Sequence, residues 1–129
     1  EIPPRDHFEP NDDAGEQAQA LWGRIKRIEA TLDFWDDQSD VYAIKLRRRQ
    51  PVYLSVRGPS GTDTNLILWK PGASSVDDLH SLSLRAKQSA RPGPRDYLSY
   101  RAKRSGWFYV QVKLGSAGSG RYKLTIVKA

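Results

Sequence analysis

The sequence predicts an all-β domain: an antiparallel β-sandwich with jelly-roll-like connections, about eight strands and room for one short N-terminal helix. Three observations predict it. Apolar and polar residues alternate with a period of two in run after run, the mark of strands with one buried and one wet face. Turn-forming residues separate these runs at regular spacing, as in sandwiches and barrels. The chain has 129 residues, the size of one ordinary domain with a real core.

Residues 1–7 are Pro-rich and read as a linker tail, leaving 8–129 as the domain. Asp12 or Asp13 can cap a short helix through about Leu21, because Ala14, Gln17, Ala18 and Ala20 are good helix formers. Arg24 to Leu32 reads as the first strand. Tyr42, Ile44 and Leu46 then alternate with Val41, Ala43 and Lys45, and Val52, Leu54 and Val56 with Tyr53, Ser55 and Arg57. Phe108, Val110 and Val112 alternate with Tyr109, Gln111 and Lys113, and Tyr122, Leu124 and Ile126 with Lys123, Thr125 and Val127. Tyr42, Ile44, Leu46, Val52, Leu54, Val56, Phe108, Val110, Leu124 and Ile126 are assigned to the core. Weaker strands fit Asn65–Trp69, Leu79–Lys87 and Tyr97–Ala102. Turns are expected at Arg49-Gln50-Pro51, Lys70-Pro71-Gly72, Arg91 to Pro94 and Ser105-Gly106. Gly58-Pro59-Ser60-Gly61 and the Gly/Ser-rich stretch 115–120 read as hairpin tips.

Composition narrows the function. Cysteine is absent, so there is neither a disulfide nor a thiolate metal site nor a Cys nucleophile. No run of 18 apolar residues exists, so no helical membrane span is expected. Methionine is absent too, even at position 1, as in a piece of a longer protein or a mature form. The net charge of +6 hides an asymmetry: residues 1–40 hold 11 of the 15 acids but 4 of the 21 basic residues. An acidic leader on a basic body suits a cation site in the leader or a field turned toward an anionic partner.

Two acidic segments stand out, Phe8-Glu9-Pro10-Asn11-Asp12 and Asp36-Asp37-Gln38-Ser39-Asp40-Val41-Tyr42. Hard oxygen donors around a fixed Pro turn can wrap one small hard cation, and the second turn can complete its shell. Donors so many and mixed favour calcium over magnesium.

Three blocks carry a family resemblance. They are Glu9-Pro10-Asn11-Asp12, then Asp40-Val41-Tyr42 through Leu46, then Ser105 to Val112 with Ser119-Gly120-x-Tyr122-x-Leu124. In this order and spacing the chain resembles the bacterial pre-peptidase C-terminal domain family, which includes the collagen-binding domains of clostridial collagenases. The resemblance runs from about residue 8 to residue 127. It implies a non-catalytic β-sandwich module of a secreted or cell-surface bacterial protein, attached to a catalytic domain on the same polypeptide. It also implies a calcium site made by Glu9, Asn11, Asp12, Asp37 and Asp40. His7 departs from the family pattern, standing where some calcium-binding relatives have another acid, and a histidine is a poor calcium ligand.

Catalytic constellations are missing from the sequence. His7 and His80 have no Cys partner, and neither a Gly-x-Ser-x-Gly elbow nor a His-Glu-x-x-His pair occurs, so an enzyme is not expected. An outward aromatic row of Tyr53, Trp107 and Tyr109, with Arg57, would grip an extended ligand such as collagen or a glycan. Arg47-Arg48-Arg49 with Lys45, Arg57, Arg101, Lys103 and Arg104 reads either as a patch for an anionic polymer or as a charged sheet edge that blocks aggregation. Nucleic acid is not expected, since no recognised nucleic-acid module fits. Two readings remain. One is a monomeric binding module that docks its parent to an extracellular polymer. The other is a structural domain that aids stability or secretion and binds nothing itself.

Overall fold

The computed structural model describes residues 19–33, 39–58, 61–71, 85–89, 93–114 and 118–129. Among the described residues, nine strands lie in two sheets. The first sheet contains β1 (Gln19–Leu21), β3 (Ser39–Leu46), β5 (Thr64–Trp69), β6 (Arg85–Ser89) and β8 (Gly106–Leu114). The second contains β2 (Ile25–Asp33), β4 (Pro51–Arg57), β7 (Arg95–Arg101) and β9 (Ser119–Lys128). Their spatial orders are β1-β3-β8-β5-β6 and β2-β9-β4-β7. All pairs are antiparallel except β1 with β3, which is parallel.

The core lies where the period of two puts it. Tyr42, Ile44, Leu46, Val52, Leu54, Val56, Phe108, Val110, Val112, Tyr122, Leu124 and Ile126 all join one buried cluster between the sheets. Each strand contributes one residue in two, so the two inner faces interdigitate across roughly 10 Å.

Three expectations are corrected. Gln19–Leu21 is a strand, not the end of a helix: pairing with Tyr42, Ala43 and Ile44 satisfies its backbone and buries Leu21. Tertiary pairing here overrides a propensity worth only tenths of a kcal/mol per residue. Next, the two expected hairpins join strands of different sheets. β4 leads to β5 and β8 leads to β9 across the sandwich, and among the described strands β5 to β6 is the one sequential pair that shares a sheet. Last, the middle of the first sheet's outer face is not wet, although Lys45 on the same face is exposed. Val41, Ala43, Ile67, Trp69 and Gln111 point away from the core and are nevertheless buried. Trp69 Nε1 donates to Gln111 Oε1 at 3.0 Å, and Gln111 Nε2 donates to Ser39 Oγ at 3.0 Å, so the buried amide is satisfied at both ends.

The remaining expectations on residues 1–18, 34–38, 59–60, 72–84, 90–92 and 115–117 lie outside the described residues. They include the linker tail and residues 12–18 of the helix.

Candidate functional site

The outer face of the second sheet is open. Strand register sets its surface in rows. Val127, Tyr53 and Ser99 make one row, Thr125, Ser55 and Tyr97 the next, and Lys123, Arg57 and Arg95 a third. These positions alternate with Leu54, Val56, Leu98, Leu124 and Ile126, whose burial turns the polar set outward. Tyr53 and Tyr97 are 52% and 62% exposed. Since Tyr53 pairs with Ser99 and Ser55 with Tyr97, the two rings are diagonal neighbours, within mutual reach of long side chains.

Three shallow depressions run along this face. One of 350 Å³ lies between Tyr53, Tyr97, Thr125 and Val127. A second of 290 Å³ is bounded by Arg57, Arg95, Tyr97 and Lys123. A third of 370 Å³ reaches over the sheet edge to Lys87 and Arg101 and shares Tyr53. Together they follow β4, whose 7 residues span roughly 20 Å at about 3.3 Å each. The strip is basic; Glu29 sits beside it in an exposed pair with Lys123 at 3.4 Å. Flat phenols flanked by guanidinium groups can hold an extended polymer that is apolar on one side and anionic or carbonyl-rich on the other.

The structure divides the four residues expected to bind a ligand. Tyr53 and Arg57 lie on this face. Trp107 and Tyr109 lie on β8, on the outer side of the other sheet, so the expected single row does not form. Trp107 instead meets the exposed Trp22 edge to face, with ring centres 4.9 Å apart. Tyr97, Arg95 and Lys123 were missed, although parity gave a signal: Leu98 is core, so its neighbour Tyr97 must face out.

Of the expected calcium ligands, Glu9, Asn11, Asp12 and Asp37 lie outside the described residues. Asp40 is fully buried, and its Oδ2 accepts a hydrogen bond from Tyr122 Oη at 2.6 Å. Tyr122 Oη also hydrogen-bonds Tyr42 Oη. This triad ties β3 of one sheet to β9 of the other. Burial, and next the charge of Asp40, push the Tyr122 phenol well above its ordinary pKa, so it stays protonated and donates. Asp40 thus has an internal role that needs no cation. Among the described residues, no group of three or more His, Cys, Asp or Glu side chains is placed to hold a metal.

No protein-family model matches the sequence, and neither does any curated protein. Solved structures do match. The pre-peptidase C-terminal domain of a Bacillus anthracis collagenase superposes with a TM-score of 0.67 at 20% identity, over 88% of this chain and 98% of that one. The Aeromonas hydrophila protein PliG, a periplasmic inhibitor of g-type lysozyme, gives 0.64 at 12% identity, over 87% and 96%. Its Salmonella Typhimurium counterpart gives 0.56 at 16% identity, over 87% and 98%. The chain therefore has the fold of the pre-peptidase C-terminal domain, the family its three sequence blocks resemble.

Proposed function

We propose that this chain is a non-catalytic accessory module of an exported bacterial protein, and that it docks its parent polypeptide to an extracellular polymer such as collagen or a glycan. The observation that carries the reading is the diagonal pair Tyr53 and Tyr97 on an open sheet face, flanked by Arg57, Arg95 and Lys123. Large aromatic side chains exposed together on a soluble domain mark interaction surfaces more often than chance. The fold likeness to a module of a collagenase and to a periplasmic inhibitor supports a place outside the cytoplasm. Shallow grooves without an enclosing pocket make the binding weak, and its Arg contacts make it salt-sensitive.

Calcium belongs to the same reading as a stabiliser. Glu9, Asn11, Asp12 and Asp37 would supply the donors. Asp40, committed to Tyr122, would contribute at most the remainder of its carboxylate.

Co-sedimentation with insoluble collagen, peptidoglycan and an acidic glycan, at low and high salt, tests the docking. Retention on at least one polymer at low salt, lost in a Tyr53→Ala/Tyr97→Ala variant, is expected. A chain that stays in the supernatant with all three leaves the purely structural role as the better account.

A further inference from the structure

The basic residues the sequence scatters over two segments come together at one end of the sandwich. The β3–β4 turn holds Arg47, Arg48 and Arg49, and the β7–β8 turn follows Arg101 with Lys103 and Arg104. The two turns are fastened to each other. Arg49 N donates to Ala102 O at 2.7 Å, and Ala102 N donates to Gln50 O at 3.0 Å. Arg48 N donates to Ser105 Oγ at 3.0 Å, and Arg101 Nη1 donates to Arg49 O at 3.3 Å. Six exposed cations thus sit on one bonded platform. No Asp or Glu occurs between Lys45 and Pro51 or between Arg101 and Gly106.

Two further observations go beyond a merely charged rim. Arg49 sits at φ 70°, a left-handed backbone region where Gly or Asn would be less crowded. The platform is therefore built with a cation at a position that sterics disfavour. The exposed indole of Trp22 and the half-buried indole of Trp107 lie at the same end. Leu21 pairs with Ile44, and Lys45 pairs with Trp107, so the two indoles flank Lys45. Trp22 is 68% exposed and presents a flat apolar surface beside the charges.

We propose that this end of the sandwich is a second binding site, separate from the tyrosine face, for a polyanionic polysaccharide carrying sulfate or carboxylate groups. Guanidinium forks match such groups with two parallel hydrogen bonds, and five of the six cations are arginines. Fixed turns hold the charges before the ligand arrives, which lowers the ordering cost of binding. The indoles decide between a glycan and a nucleic acid. Single-strand binders stack successive bases on a series of aromatic platforms along a groove. Here the two rings meet edge to face and leave one flat surface, which suits a single sugar ring.

The test uses the whole chain and three probes of matched charge: heparin, polygalacturonate and a single-stranded oligonucleotide. A triple variant, Arg48→Gln/Lys103→Gln/Arg104→Gln, alters only exposed side chains at the site. A control triple, Arg27→Gln/Lys113→Gln/Arg121→Gln, removes the same charge elsewhere. The site variant should bind heparin or polygalacturonate at least tenfold more weakly at low salt. Its slope of log affinity against log salt should fall by roughly three, about one per lost contact. The control should keep the parent slope. Trp22→Ala should weaken glycan binding and leave the slope unchanged, because an apolar contact releases no counterion. Equal losses in the two triples would reduce the effect to net charge and overturn the proposal. So would an oligonucleotide that binds as tightly as the glycans, or no binding of either glycan at low salt.

Discussion

Removing one hydroxyl, in Tyr122→Phe, should destabilise this domain by about 2–4 kcal/mol. The ring is fully buried and keeps its packing, so the effect isolates the oxygen. Two bonds are lost. Tyr122 Oη no longer donates to Asp40 Oδ2, a contact of 2.6 Å to a charged acceptor, worth about 1.5–3 kcal/mol. Tyr42 Oη loses a partner as well, at about 0.5–1.5 kcal/mol for a neutral pair. Both partners lie where water does not reach, so solvent cannot replace the missing group. Urea denaturation followed by far-ultraviolet circular dichroism measures the effect as a shift in midpoint at constant slope. Tyr53→Phe, altering an exposed phenol, is the control and should lie within about 0.5 kcal/mol of the parent. If Tyr122→Phe behaved like Tyr53→Phe, the triad would not be what ties the sheets together, and the internal role given to Asp40 would fail.

The remaining predictions concern pH, the backbone and the cation. Tyr122 has its folded pKa raised by burial and by Asp40; the unfolded phenol titrates at about 10. Its stabilisation is therefore complete below that pH and is lost as pH climbs above it toward the folded pKa, so alkaline melting should fall more steeply in the parent than in Tyr122→Phe. Gly58→Ala should destabilise by about 1–3 kcal/mol, because an added Cβ would lie 2.0 Å from Thr64 Oγ1, and that side chain is buried and hydrogen-bonded to Thr62. Calorimetry would show it as a lowered melting temperature. Millimolar calcium should raise the melting temperature and chelator lower it, with about 2.7 kcal/mol gained at 100 times the dissociation constant. Asp12→Ala should abolish that response, whereas Asp40→Ala should lower stability in calcium and in chelator alike. A calcium response left intact in Asp12→Ala would reject the ligand set.

Much of the fold was legible because the core is written with a period of two. Leu54 and Ile126 face inward for the same reason that Tyr53 and Thr125 face outward, and neither needs knowledge of its neighbours. Partnership between strands was not legible. Tyr53 and Trp107 share an alternation pattern, yet β4 and β8 belong to different sheets, and only long-range pairing decides that. The same holds for the basic end: Arg49 and Arg101 are far apart in sequence and are joined through the pairing of Pro51 with Arg101. Gln111 read as a wet position because glutamine is polar; its burial rests on Trp69 and Ser39, two partners that no local pattern reveals. Asp40 entered the expected calcium set through the family resemblance; its hydrogen bond to Tyr122, a partner far along the chain on the other sheet, is carried by no local pattern.

Backbone amide shifts of the whole chain, followed during titration with a soluble collagen-like triple-helical peptide and then with soluble peptidoglycan fragments, test the docking claim most directly. With at least one of these ligands, salt-sensitive shifts should cluster on Tyr53, Ser55, Arg57, Tyr97, Ser99 and Thr125, and vanish in Tyr53→Ala/Tyr97→Ala. Shifts confined to β8 and the outer side of the five-stranded sheet, or none with either ligand, would contradict the claim that the open face of the four-stranded sheet is the binding surface.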